Sequence, residues 1–162
     1  MTNPLWSNLF RKPAALRSEL TELWLATPLF QDIPRRAVEH LVADMHPRDY
    51  AAEESVFRVG ERGAGAVLIH SGSVSIRSGD IELARLEHGD FFGEIALAID
   101  EPRTADAIAV EPTRLVFLLR ADVEEWIERA PALGGRFALN LARIIASRLR
   151  RANALLSELT PQ

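Results

Sequence analysis

Between Tyr50 and Leu119 the sequence falls into short apolar runs separated by glycine, and this punctuation constrains the fold more than any other feature. AVLIHSG, SVSIRSG and IELARLEHG follow one another, and ADAIAVE and TRLVFLL come later. Runs of this kind, cut about every ten residues by turn signals, describe a small antiparallel barrel or jelly roll. Gly60, Gly63, Gly65, Gly72, Gly79 and Gly89 each fit a turn or bulge better than a strand centre. Ser78-Gly79-Asp80 reads as the tip of a hairpin.

Helical periodicity flanks this region on both sides. Pro13 can start a helix, and Leu16, Leu20, Leu23 and Trp24 follow at helical spacing until Thr27-Pro28 interrupts them. A second helix is expected from Asp32 as N-cap, with Val38, Leu41, Val42 and Met45 on one face. After the last strand, Asp122 is expected to cap a short helix carrying Val123, Trp126 and Ile127 inward. Pro131 then separates it from a long helix over roughly 133–159. Trp6, Trp24 and Trp126 read as helix-packing residues. The fold class is α+β: a small antiparallel β-barrel of jelly-roll type between N-terminal helices and a long C-terminal helix. The expected division is an N-terminal extension over 1–27, the barrel with its flanking helices over 28–132, and the long helix over 133–162.

The long helix carries two apolar faces. Ala138, Ala142, Ile145, Leu149, Ala152, Leu156 and Leu159 repeat at four-three spacing, a heptad seam suited to a parallel homodimer. Phe137, Leu141 and Ile144 lie on an adjacent face and can pack on the barrel. The alternative is one broad face packing within the chain.

Composition excludes several classes. The chain has 162 residues and no cysteine, so a disulfide framework, a thiol nucleophile and cysteine-based metal centres are out. A formal charge of −4 argues against nonspecific nucleic-acid binding. No apolar run is long enough to span a bilayer, and the N-terminus lacks the charge order of a signal peptide, so a cytoplasmic location is expected. His40, His46, His70 and His88 lack the spacing of a barrel metal site, so no metal and no cofactor are expected.

Chemistry concentrates in FFGEIALAIDEPRTADA, residues 91–107. Gly93 permits a sharp bend, and Glu-Ile-Ala-Leu favours a turn or two of helix whose first N–H groups point at one spot. Pro102 fixes the backbone before Arg103, and Thr104 adds a hydroxyl. A guanidinium, converging N–H groups and a hydroxyl make a phosphate site. Glu94 would repel a phosphate, so it must face another part of the ligand, and a ribose hydroxyl suits an ionised carboxylate. A phosphate and a ribose hydroxyl a few ångströms apart describe a compact nucleotide. The plain alternatives are a surface ion pair of Arg103 with Asp100 or Glu101, and Glu94 as a simple helix-start acid.

GDFFGEIALAIDEPRTADA resembles the phosphate-binding cassette of cyclic nucleotide-binding domains, whose pattern is Phe-Gly-Glu-[Ile/Leu]-Ala-Leu, a short bridge, then Pro-Arg-x-Ala. FRVGERGAGAVLIHSGSVSI is similar to the family's first hairpins, and LVFLLRADVEEWIERAP to its last strand and following helix. The resemblance spans roughly 28–158. It implies that Arg103 clamps a 3′,5′-cyclic phosphate, and that the backbone around Ile95, Ala96, Thr104 and Ala105 supplies N–H donors. It also implies that Glu94 and the Gly93 backbone hold the ribose 2′-OH. Ala64 departs from the usual aspartate after Gly63, and Asp106 stands where small or apolar residues are commoner and is expected to face solvent.

By similarity to bacterial cAMP-responsive regulators, Asn153 falls near a residue that contacts the adenine, and Arg148 falls where the long helix can reach Glu94. The resemblance implies a cAMP sensor; cGMP is allowed, because Thr104 stands where a hydroxyl can reach a syn guanine. A structural dimerisation module with an idle pocket is the other reading. No nucleophile or general base stands beside Glu94 and Arg103, so no enzymatic activity is expected. No DNA-binding helix-turn-helix is expected within these residues, and the downstream partner is not readable.

Overall fold

The structure, a computed structural model, describes residues 13–159; Trp6 lies outside the described residues. Helix α1 (Ala14–Leu25) begins directly after Pro13 and buries Leu20, Thr21 and Trp24. A 3₁₀ turn (Pro28–Phe30) leads to α2 (Arg35–Asp44). The expected N-cap at Asp32 is corrected: Asp32 has φ +60°, and α2 starts three residues later, after Pro34. Proline disfavours helical geometry in the residue before it, so Ile33 cannot join the helix. The Pro34 carbonyl accepts the first helical bonds from Ala37 and Val38.

Eight strands follow: β1 (Pro47–Tyr50), β2 (Ser55–Phe57), β3 (Gly65–Ser71), β4 (Val74–Ser78), β5 (Ile81–Leu86), β6 (Phe91–Phe92), β7 (Asp106–Ala109) and β8 (Thr113–Leu119). They form two antiparallel sheets, β1-β8-β3-β6 and β2-β7-β4-β5. The architecture is a jelly-roll-like sandwich of two sheets, not a closed barrel. Gly79 and Asp80 make the two-residue β4–β5 turn, with Gly79 at φ +58°. Gly65 is a correction: it lies inside β3, where a Cβ would sit 2.0 Å from the Leu118 carbonyl oxygen. Its task is close strand approach.

Strand β3 is covered on both faces, which is why AVLI reads as an unbroken apolar run. Ala66 and Leu68 join the helical core with Trp24, Phe30, Trp126 and Phe137, whereas Val67 and Ile69 join Phe92 and Leu115 between the sheets. The sandwich is thereby fixed against a helical layer made from both ends of the chain.

A four-residue helix, α3 (Ile95–Ala98), sits between β6 and β7. After β8 come α4 (Arg120–Arg129) and α5 (Pro131–Leu159). Asp122 does not cap α4; Leu119 holds that place and Asp122 sits in the first turn, because the helix continues straight from the strand. Nor does Pro131 stand apart from α5: it is the first residue, where a missing N–H costs no hydrogen bond. Phe137, Leu141 and Ile144 are buried on the helical core, as their spacing implies. Asn140 is buried beside them and donates from Nδ2 to the Leu29 and Gln31 carbonyls at 3.1 and 2.8 Å. Of the heptad positions, Leu149, Leu156 and Leu159 are exposed by 59, 62 and 79%, but Ile145 is half-buried against the helical core. Ile145 therefore belongs partly to the inner face.

Candidate functional site

Strand β6 delivers the cassette. Phe92 pairs with Val67 and Phe91 with Leu68, which anchors the backbone immediately before it turns at Gly93. Gly93 has φ +73°, and a Cβ there would lie 2.6 Å from Arg103 Nη1. Both the backbone bend and the close approach require glycine. The Gly93 carbonyl accepts from Arg103 Nη1 at 3.2 Å and from the Ala96 N–H at 3.2 Å. Ile95 is exposed and Ala96 buried, so the short helix shows one side to solvent.

Arg103 is fixed from both sides of its own backbone. Its N–H donates to the Glu61 carbonyl at 2.7 Å, and its carbonyl accepts from the Gly60 N–H at 2.8 Å. The guanidinium turns inward: Nη2 donates to the Gly65 carbonyl at 2.9 Å, and Cζ stands 4.1 Å from the centre of the Phe57 ring. Nε is buried without a hydrogen-bond partner among the described residues. Burial lowers the Arg103 pKa, with the charges of Glu94 and Glu61 acting against that effect. The surface ion pair with Asp100 or Glu101 is not formed; Asp100 instead meets Arg62 and Arg120. A half-buried cation resting on carbonyl dipoles and a ring, with Nε unpaired, is poised to receive an anion.

Glu94 is 4% exposed and precedes α3 directly. Arg148 of α5 reaches it across 54 residues of sequence, Nη1 to Oε2 at 2.5 Å. Arg148 Nη2 also donates to the Phe91 carbonyl at 3.0 Å, and its Cζ lies 5.1 Å from the Phe91 ring centre. The long helix is thus latched to the cassette at both Phe91 and Glu94. Gly93, Glu94, Ile95, Ala96 and Arg103 are brought together, with Thr104 exposed and Ala105 half-buried beside them. Asn153 is not placed with them: it is exposed on the outer part of α5, about 7.5 Å further along the axis than Arg148. Asp106 does not simply face solvent; its Oδ1 accepts from the Val59 N–H at 2.8 Å and ties the β2–β3 loop to β7.

One residue of the site escaped the sequence reading. Arg120, at the start of α4, donates from Nη1 to the carbonyls of Gly63, Ala96 and Ile99 at 3.3, 2.9 and 3.0 Å. It also pairs with Asp100 at 3.3 Å. Two of those carbonyls belong to the end of α3, where helical carbonyls lack partners and a cation is favoured. The only sequence signal was an arginine closing the apolar run LVFLL.

Among the described residues no cluster of three or more His, Asp or Glu could hold a metal, and no helix is long and apolar enough to cross a membrane. A family model described as cyclic nucleotide-binding domain matches residues 47–130, more than half of the chain. A cyclic AMP receptor protein from Thermus thermophilus is 35% identical over 132 residues, 78% of this chain and 59% of that protein. The chain therefore spans about three-fifths of that relative. Glutaminase 1 from Bradyrhizobium diazoefficiens is 31% identical over 143 residues, 88% of this chain but 23% of its own length. A solved cyclic nucleotide-binding domain from Methylobacillus flagellatus shares the fold with a TM-score of 0.78 at 21% identity, covering 94% of this chain and 89% of that one. The family match encloses the whole turn from Gly93 to Arg103 and the strands that hold it, and the chain belongs to the cyclic nucleotide-binding domain family.

Proposed function

We propose that this chain is a cAMP-responsive sensor that reports occupancy through α5. The observation that carries the reading is Arg103, whose guanidinium rests on the Gly93 and Gly65 carbonyls with Nε unpaired and with no carboxylate bonded to it among the described residues. A cyclic phosphate supplies the missing anion. The N–H groups around Ile95, Ala96, Thr104 and Ala105 contribute donors, and Glu94 with the Gly93 backbone takes the ribose 2′-OH. The name of the Thermus thermophilus relative favours cAMP. The exposed Thr104 hydroxyl keeps cGMP as the second ligand. The binding unit is 28–132 and the reporting helix 133–162, with Asn153 reaching the base only in an assembly or a closed position of the helix.

Signalling follows from Arg148. Arg148 holds Glu94 by Oε2 and leaves the second carboxylate oxygen for the ribose. The long helix thus orients the group the nucleotide uses, and nucleotide and helix position are linked by differential affinity. The exposed Leu149 and Leu159 make α5 the homodimer seam. Outputs differ among relatives, since a receptor protein and a glutaminase carry the matching region in different proportions of their length. This region is the regulatory part and brings no catalysis of its own.

Calorimetric titration of the nucleotide-stripped chain with cAMP and, in parallel, cGMP tests the reading. One site per chain with micromolar affinity, about −8 kcal/mol, is expected, weakened at least a hundredfold by Arg103→Gln and weakened for the 2′-deoxy analogue. Folded, empty protein that gives no saturable binding to either nucleotide overturns it. Spin labels on α3 and α5 should change their separation on saturation; unchanged distances would refute the role of α5.

A further inference from the structure

We infer that the chain has a second small-molecule site, for a compact organic anion, in the cavity between the Pro28–Phe30 turn and α5. The cavity has a volume of about 310 Å³, at the small end of the range for ligand pockets. Its apolar surface comes from Pro28, Phe91 and Ile144, and its polar rim from Arg143, Ser147 and Arg148.

Charge decides what it takes. Among the described residues, two guanidinium groups line the cavity and no carboxylate does. No carboxylate is paired with Arg143 among the described residues, so its guanidinium is open to an anion from solvent. Ser147 stands one turn further along the same face, so a guanidinium and a hydroxyl present donors together. An anion on this rim satisfies the donors by charge-assisted hydrogen bonds, and an apolar body rests on Phe91 and Ile144. The larger cavity between α2 and α4, about 450 Å³, differs in this respect: the carboxylates of Asp44, Asp122 and Glu125 line it together with Arg36 and Arg129.

The wall is built in advance. Asn140, itself buried, holds the Leu29 and Gln31 carbonyls and so fixes the turn against α5. A preformed pocket loses little ordering entropy on binding.

The cavity adjoins the cassette at Phe91 and at Arg148 of α5. The same guanidinium that lines it holds Glu94. An anion in the cavity competes with Glu94 for Arg148, so its occupancy weakens the latch between α5 and the cassette. Reciprocity then requires that nucleotide and anion change one another's affinity by the same factor. Binding of the anion stands by itself; this coupling rests on the nucleotide reading above.

The probe is benzoate, titrated into the ¹⁵N-labelled full chain, with benzyl alcohol as the uncharged control. Benzoate is expected to shift the Phe91, Ile144 and Ser147 amide resonances saturably with a Kd on the order of 1 mM. Arg143→Gln, an exposed substitution outside the nucleotide cassette, should weaken this at least fivefold without moving the melting midpoint. No saturable shift at those residues up to about ten times that concentration, or equal binding of benzyl alcohol, overturns the site. Saturating benzoate should then weaken cAMP binding about fivefold in the wild type and not in Arg143→Gln. Nucleotide affinity indifferent to benzoate overturns the coupling. Benzoate binding without any nucleotide binding refutes the sensor reading and leaves the second site standing.

Discussion

Gly93 and Arg103 are ten residues apart in sequence and touch in space, and the glycine exists so that they can. A methyl at Gly93 meets Arg103 Nη1 at 2.6 Å and also faces φ +73°. Gly93→Ala should therefore cost about 1–2 kcal/mol from the backbone alone, a melting shift of about 3–6 °C, and lower nucleotide affinity at least tenfold by displacing the guanidinium. Gly79→Ala is the matched control: its φ is +58°, but a Cβ there meets nothing within 4 Å. It should show a comparable melting shift in a thermal scan and unchanged affinity by calorimetry; equal affinity losses in both variants would refute the clamp. Glycine, glutamate and arginine were legible because a turn and its contacts are set within one short stretch. Arg120 was not, because its carbonyl partners at Gly63, Ala96 and Ile99 belong to a loop and a short helix 21 or more residues away.

At the scale of elements, α3 is too short to hold itself and depends on its neighbours. Arg120 joins its end to the Gly63 loop and to α4. Arg120→Gln should destabilise the fold by about 2–3 kcal/mol in urea denaturation and weaken nucleotide binding about tenfold. Arg120→Lys should recover only part, since one ammonium cannot present the planar fork that meets the carbonyls through Nη1 and Asp100 through Nη2. Full recovery by lysine would mean that charge alone matters. On the opposite side of α4, burial raises the Asp122 pKa, and the charges of Asp44 and Glu125 add to it. A carboxyl with a raised folded pKa favours the native state fully below the unfolded value of about 3.9. That favour is lost as pH rises through the folded value. Asp122→Asn should therefore gain on the wild type as pH climbs from about 3.5 to about 7, read as the difference in denaturation midpoints. A difference constant with pH would disprove the shift.

At the scale of the molecule, α5 divides its length between two environments. Up to Ile144 it packs on the helical core, and from Ala146 to Leu159 it is exposed. Leu149→Glu should leave the melting midpoint of the monomer unchanged and abolish a dimer seen by sedimentation at micromolar concentration. An unchanged sedimentation profile would place the interface elsewhere. The two-sided pattern was readable from helical spacing, but Ile145 was assigned to the outer seam and lies partly inside, because period alone does not reveal where the neighbouring core ends.

The sequence by itself determined the class of fold, the place of the hairpins and the chemistry of the cassette. Glycine punctuation, strand period and the spacing from Gly93 to Arg103 act over a few residues, so backbone sterics and hydrogen-bond chemistry suffice to read them. Tertiary structure alone decided that the strands form two sheets rather than a closed barrel, that Gly65 serves a strand crossing, and that Arg120 caps the cassette. It also set Arg143, Ser147 and Arg148 around one cavity. These outcomes depend on which distant backbones come within hydrogen-bond reach. That is settled by burying Leu68, Trp126 and Phe137 in one core, whose packing no local pattern encodes.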